Sequence, residues 1–295
     1  MFRKALLAAF TFLLSACGYP DTALAQEASP PSGPAIWRLG DEDTTIYLFG
    51  TIHVLPEGEN WFSGNVRSAF DASDELVFEI SMDDVPASAA ALAQMALLPQ
   101  GTTLRSLMTE DNRAEYEATL AQLGVAPERL DPFEPWAAAL DLSLRPLAQA
   151  GYQAGQGVEL VLREHAEGRQ RAALETVEQQ VELFDSLPMA DQLTLLDETV
   201  EGIPETLSTL DALKAEWLAG DADAIATLMN ADMADGDLYE RLLVNRNRNW
   251  AGWIADRLDR PGTVFIAVGA GHLAGADSVQ QQLAARGIAV ERVGN

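Results

Sequence analysis

The sequence predicts an α/β (α+β) fold: a central mixed sheet from two related halves, with a large helical region between them. Three observations carry this. Apolar runs of strand length lie near both ends of the chain. Roughly 150 residues between them show helical apolar spacing instead. And two of the runs, "YLFGTIHVLP" (47–56) and "VFIAVGAGHLAG" (264–275), close on the same Gly-x-x-His pattern, a weak internal repeat.

The chain opens with "MFRK" and the apolar stretch "ALLAAFTFLL", which is too short to span a bilayer as a mature helix. "LSAC" follows and resembles a bacterial lipobox. Cys17 is the only cysteine. A structural cysteine in an exported protein normally has a partner, so a lone one favours lipid attachment. Residues 1–16 therefore read as a signal peptide of lipoprotein type, with cleavage after residue 25 as the alternative. Residues 17–35 are Pro/Ser/Ala-rich and aperiodic, the composition of a tether. The expected place is the periplasmic side of a bacterial envelope, held to a membrane through the lipid alone, or soluble in the periplasm or secreted if cleavage falls after 25.

The folded domain is expected over 36–295. Two β-prone runs flank "GDED" as a hairpin, and the second leads into the first Gly-x-x-His. "ELVFEIS" (75–81) reads as a buried strand containing Glu79. Helical periods then run to residue 232, punctuated by Gly and Pro, with "RQRAALE" (169–175) as a returning strand. A long helix covers 237–258. Residues 262–269 form a strand, 278–287 a helix and 288–293 a last strand.

Composition narrows the function. Forty-five acidic residues against nineteen basic ones give a net charge of −26. Such a chain repels phosphate backbones, which excludes nucleic acid as a natural partner. No G-x-S-x-G elbow, H-E-x-x-H helix or Walker loop occurs. If Cys17 is lipidated, no thiol remains for catalysis.

The chain has three histidines, and two of them, His53 and His272, follow matched strands. Ligands of open α/β sheets bind beyond the carboxyl ends of the strands. Gly50 and Gly269 are expected to adopt positive φ and turn the chain off each strand. Two such ends side by side would join His53 and His272. Glu79, a carboxylate within an apolar strand, needs a partner or a cation to be tolerated there. Imidazole with carboxylate is a ligand set for a divalent metal and equally a general-base pair. Glu175 stands at a strand end before a helix. Arg246 in "VNRNRNWAGWI" is suited to a carboxylate or a tetrahedral intermediate. His165 sits among charges in a helix and reads as structural, and Trp136 as core.

Taken in order, "YLFGTIHVLP", "LVFEIS", "EPWAAAL", "ALETVEQQ", "NRNRNWA" and "VGAGHLAG" resemble the TraB/GumN family, which includes PrgY and the animal Tiki proteins. The resemblance runs from about residue 36 to 293. It implies a fold similar to the erythromycin esterase and ChaN-like group. Tiki proteins are metal-dependent proteases. By resemblance, His53, His272 and Glu79 match the family's histidines and strand glutamate, Arg246 and Asn247 its Arg-Asn pair, and Glu175 and Gln180 its "LETxxxQ" pattern. Where the family often has Lys-Pro-Trp, this chain has Glu134, Pro135 and Trp136. Where it often has Gly-x-Asp, this chain has Gly157, Val158 and Glu159.

The expectation is a metal-dependent hydrolase acting on a peptide or protein substrate. His53, Glu79 and His272 would hold manganese, cobalt, iron or zinc. Glu175 would act as base or further ligand and Arg246 as oxyanion stabiliser, with Asn247, Gln180, Gly50 and Gly269 in support. A metal-independent esterase-like hydrolase and a haem-, iron- or peptide-binding protein without catalysis are the alternatives.

Overall fold

The computed structural model describes residues 33–81, 83, 93–230 and 236–294. The expected signal peptide, Cys17 and most of the expected 17–35 tether lie outside the described residues. So do parts of both ends of the helical region expected between residues 81 and 232.

The described residues contain a six-stranded mixed sheet, in the order β4-β3-β5-β2-β1-β6. Strands β1 (Ile36–Gly40) and β2 (Thr44–Thr51) form the expected hairpin, paired antiparallel from Ile36 opposite Phe49 to Gly40 opposite Thr45. Asp41 makes the turn: its Oδ1 accepts from the Thr44 amide at 2.9 Å. Strands β2, β3 (Glu75–Ile80), β4 (Gln170–Glu175) and β5 (Gly262–Gly269) all run parallel. The two Gly-x-x-His strands, β2 and β5, are direct neighbours, with Gly50 opposite Val268 and Thr51 opposite Gly269. The last strand is shorter than expected. Only β6, Glu291–Arg292, pairs with β1.

Both faces of the inner strands β2, β3 and β5 are covered, which is why these are near-continuous apolar runs and not alternating ones. Phe49, Leu76, Phe78, Phe265 and Ala267 face one core. It is completed by α1 (Gly64–Asp71), α2 (Glu110–Gln122), α3 (Pro135–Gln149), α4 (Val158–Glu164), α5 (Val177–Asp185), α6 (Met189–Gly202), α7 (Thr206–Ala219) and α8 (Ala222–Asn230). Alternate residues, among them Ile46, Leu48, Val77, Val264, Ile266 and Val268, face a second core. There α9 (Asn245–Leu258) and α10 (Val279–Ala284) pack through Trp250, Ile254, Val279 and Leu283. The expected long helix over 237–258 is not uniform. A single turn, Asp237–Tyr239, passes through π-helical Glu240–Val244 before α9 begins. π segments are uncommon and recur at functional sites.

Gly50 and Gly269 depart from expectation. Neither has positive φ; Gly269 is at φ −49°. They are needed for close approach. A Cβ on Gly50 would lie 3.0 Å from the Ala270 Cα, and the Gly50 carbonyl accepts from the buried Trp217 indole at 2.8 Å. That bond fastens α7 to the end of β2, where Trp217, Trp61 and Phe49 also pack ring on ring. Trp217→Phe leaves the Gly50 carbonyl unpaired and is expected to lower stability by about 1–3 kcal/mol. A urea titration with an unchanged midpoint would show that this bond contributes nothing.

Candidate functional site

Four parallel strands end at one edge of the sheet, and each brings a polar residue there. Glu79 lies near the end of β3 and Glu175 closes β4. His53 follows β2. His272 lies in the 3-10 turn Ala270–Leu273 after β5. From the second face, α9 adds Arg246, Asn247 and Trp250.

Arg246 is the centre of this cluster and is 4% exposed. All five of its guanidinium N–H groups have acceptors. Nε donates to Glu175 at 2.9 Å, and Nη2 to Glu79 Oε2 at 2.6 Å and Glu175 Oε2 at 3.0 Å. Nη1 donates to the Leu242 carbonyl at 3.1 Å and to His272 Nε2 at 2.9 Å. The Leu242 acceptor belongs to the π segment, so the irregular backbone is part of the site. Arg246 therefore has no N–H left for an oxyanion. Glu175 is equally committed: it also accepts from the Trp250 indole at 2.9 Å and from Gln180 Nε2 at 3.3 Å. Gln180 bridges to Glu79 Oε2 at 2.9 Å, and the Gly269 amide donates to Glu79 Oε1 at 2.7 Å.

The two histidines sit in unlike surroundings. His272 is fully buried. Its Nδ1 donates to Asn247 Oδ1 at 2.6 Å, and Asn247 Nδ2 is anchored on the Asp277 carbonyl at 2.8 Å. Burial, then the Arg246 charge, push the His272 pKa down to about 3 against the opposing pull of Glu79. His53 is 34% exposed, and its Nδ1 lies 2.6 Å from Glu159 Oε1. Thr51 Oγ donates to the same Glu159 oxygen. Burial works against a charged His53, but the Glu159 carboxylate outweighs it and raises the pKa to about 9. In Glu79, burial favours the neutral acid. Arg246, with the histidines and the Gly269 amide, overcomes this and holds the carboxyl well below its ordinary range.

Local geometry explains why Glu159 meets His53. Gly157 approaches the loop after β2 so closely that a Cβ there would lie 2.1 Å from the His53 carbonyl oxygen. The Val158 amide donates to the Ile52 carbonyl at 3.1 Å, and α4 starts at that point with Glu159 in its first turn. His53, Phe78, Glu79, Leu144, Glu159 and Gln180 border a cavity of about 240 Å³.

Sequence reading named His53, Glu79, Glu175, Gln180, Arg246, Asn247 and His272, and the fold brings them together. Glu159 was noted only at the family's Gly-x-Asp position; Thr51 was not singled out, and Trp250 stood only within the quoted "VNRNRNWAGWI". The tight Gly157 approach, which joins Glu159 to His53, is invisible in local sequence. His165 stands apart: it ends α4 and packs edge-on against Phe62 with ring centroids 5.0 Å apart. Trp136 is core, stacked on Phe184 at 6.2 Å. Glu134 precedes α3 and accepts from Gln192 Nε2 at 3.0 Å.

A mixed sheet covered on both faces, with a buried ionisable cluster beyond the ends of its parallel strands, defines an α/β protein with an enzyme-like site. The TraB/PrgY/gumN family model matches residues 35–292, and the chain belongs to that family. An uncharacterized protein of Treponema pallidum is 26% identical over 263 residues, covering 82% of this chain and 78% of its own. Uncharacterized protein YbaP of Escherichia coli is 25% identical, covering 81% and 87%. Metalloprotease TIKI2 of Danio rerio is 26% identical over 306 residues and covers 83% of this chain, which spans only 58% of that relative. No solved structure matches the chain.

The metal in that last name can be tested against the residues. Glu79 Oε1, His272 Cδ2 and His53 Nε2 lie 3.2, 3.6 and 3.8 Å from the point where a Cβ on Gly269 would stand. The missing Cβ leaves a recess faced by a carboxylate oxygen and an imidazole nitrogen, donors that suit a divalent cation. The cluster also sets three carboxylates, Glu79, Glu159 and Glu175, against one guanidinium. His272 differs, because Arg246 occupies its Nε2. Among the described residues no group of three or more His, Cys, Asp or Glu stands ready to hold an ion. The residues thus fit an ion through His53 and Glu79, while His272 serves Arg246.

Because Glu159 is what raises His53, Glu159→Gln in chelator-treated protein is expected to bring the imidazole from about 9 down toward or below the ordinary value of 6.5. NMR titration of the ring protons reads this directly. An unmoved titration would mean that another group sets it.

Proposed function

We propose that the chain is a divalent-cation-dependent hydrolase of peptide bonds, tethered in the bacterial envelope. The observation that carries the reading is the recess over Gly269 at the end of β5, where His53 from beyond β2 and Glu79 from β3 meet beside a cavity. The likeness to proteins named metalloproteases supports it.

His53 and Glu79 would hold the ion, which when bound acidifies water and polarises a carbonyl. The chain's own residues do the rest. Glu159, itself steadied by Thr51, fixes the His53 ring through Nδ1, so that Nε2 faces the recess. An acceptor on the second nitrogen of a ligating histidine is the usual way its orientation is set. The Gly269 amide, Gln180 and Arg246 hold both Glu79 oxygens. Arg246 is thus a positioning cation and Glu175 its counter-ion, in place of the oxyanion and base roles the sequence suggested. Val54, Phe78, Ile80, Leu144 and Leu160 give the cavity an apolar wall, which excludes water and suits an apolar substrate side chain.

Residues 26–295 would be loaded with manganese, cobalt or zinc, desalted, and analysed by mass spectrometry beside His53→Ala and Glu79→Ala. The parent is expected to retain one ion and both variants none, with peptide cleavage falling about a hundredfold or more in Glu79→Ala. Full cleavage after exhaustive chelation would overturn the metal reading and leave the His53–Glu159 pair as a metal-free base. Failure of the loaded parent to cleave any peptide would overturn the hydrolase.

The envelope assignment rests on residues 1–17. Cys17→Ala is expected to abolish incorporation of labelled palmitate and release the protein from the membrane fraction. Unchanged labelling would refute the lipid anchor.

A further inference from the structure

The sheet has two borders, and they differ. At one, β6 is only Glu291–Arg292. At the other, β4 presents a full strand, "QRAALE". Proteins usually blunt such borders with lysine, proline, a bulge or a covering element. β4 carries no proline, and at its middle are Ala172 and Ala173, side chains too small to shield the backbone.

The direction of its backbone groups follows from its pairing. The Gln170 amide donates to the Asp74 carbonyl at 3.2 Å. In a parallel ladder the groups alternate, so Gln170, Ala172 and Leu174 face β3 while Arg171, Ala173 and Glu175 face outward. Among the described residues, no partner is found for the outward amides of Arg171, Ala173 and Glu175. A cavity of about 660 Å³ lies along this border, walled by Arg163, Arg171, Ala173, Glu175, Thr176 and Phe78.

This groove leads to the site already described. Phe78 borders both cavities. Glu175, on the groove, is hydrogen-bonded to Gln180, on the smaller cavity. Strands stand about 4.8 Å apart, so a chain laid on the outer side of β4 would be three spacings, about 14 Å, from β5 and the recess over Gly269. About four residues of extended chain cross that gap.

We infer that β4 is the substrate-docking edge: an extended polypeptide adds to it as a further strand, and its continuing chain turns over Glu175 and Gln180 into the His53–Glu79 recess. This deepens the hydrolase reading and rests on it for the cleavage step. Main-chain pairing supplies the affinity in such strand addition, and side-chain pockets only tune it. The substrate class is therefore a linear or unfolded segment, tolerant in sequence along the paired part. The cleaved bond lies about four residues beyond that part.

The test uses a panel of end-blocked decapeptides of acidic, basic and apolar composition. Hydrogen exchange on the His53→Ala chain is expected to show the amides of Arg171, Ala173 and Glu175 slowed by peptide, with those of Ala172 and Leu174 unchanged. In the otherwise intact chain, Ala173→Pro removes one outward donor at an edge position that tolerates proline. It is expected to raise KM about tenfold with kcat held, the effect of one lost hydrogen bond. Ala173→Val keeps the donor and should keep KM. Cleavage with an unchanged KM in Ala173→Pro and no slowed amides would overturn the docking edge and leave the hydrolase standing. Slowed amides without cleavage would support the edge and overturn the hydrolase. Neither slowing nor cleavage would overturn both.

Discussion

The buried guanidinium of Arg246 is the interaction on which the site depends. Removing an arginine from water is expensive, and only well-placed partners make it tolerable. Here five N–H groups meet Glu79, Glu175, His272 and a backbone carbonyl. These partners come from β3, β4 and the turn after β5, whereas Arg246 comes from a helix on the other face. One side chain therefore ties three strand ends to α9. The tie works in both directions. Arg246 holds the buried Glu79 carboxyl well below its ordinary range, and Arg246 is itself buried because Glu79 and Glu175 accept its N–H groups. Losing Arg246 would leave the buried Glu79 carboxylate without its cation, and so the three strand ends depend on that one side chain.

That dependence accounts for two irregularities. The backbone before α9 is π-helical over Glu240–Val244, and its Leu242 carbonyl takes an Arg246 N–H. A regular α-helix would have used that carbonyl in its own ladder. At the other side, Gly269 lets its amide reach Glu79 Oε1 while leaving the space above its Cα open. An alanine there would put its Cβ at the mouth of the recess.

The sheet was largely legible in the sequence, for a simple reason. Strands buried on both faces are near-continuous apolar runs, and β2, β3 and β5 are of that kind, whereas β4 at the border is only partly buried. The site's membership was legible because carboxylates and histidines at the ends of apolar strands need partners. What the sequence did not show was who partners whom. Glu159 reaches His53 only because Gly157 lets α4 start against the loop after β2, a contact across more than a hundred positions. Arg246 looked like a group awaiting substrate because its partners lie at residues 79, 175 and 272. The glycines were misread for a related reason. Local sequence suggests conformational freedom, whereas their value here is the lack of a side chain against a tertiary neighbour.

The same limit explains how a sequence repeat produces chemical asymmetry. His53 and His272 occupy matched places in matched strands, and β2 and β5 lie side by side in register. Yet each ring answers to what packs on it. On His272 the Nδ1 partner is a neutral amide and the Nε2 partner a cation, and burial is complete, so the ring stays neutral. On His53 the Nδ1 partner is a carboxylate and the ring reaches a cavity. One environment drives the imidazole down to about 3 and the other up to about 9. Residues of one type whose surroundings push them apart take different roles. His272 belongs to the scaffold that orients Arg246. His53 is the one that borders the cavity beside Glu79, and the proposed chemistry would turn on that pair.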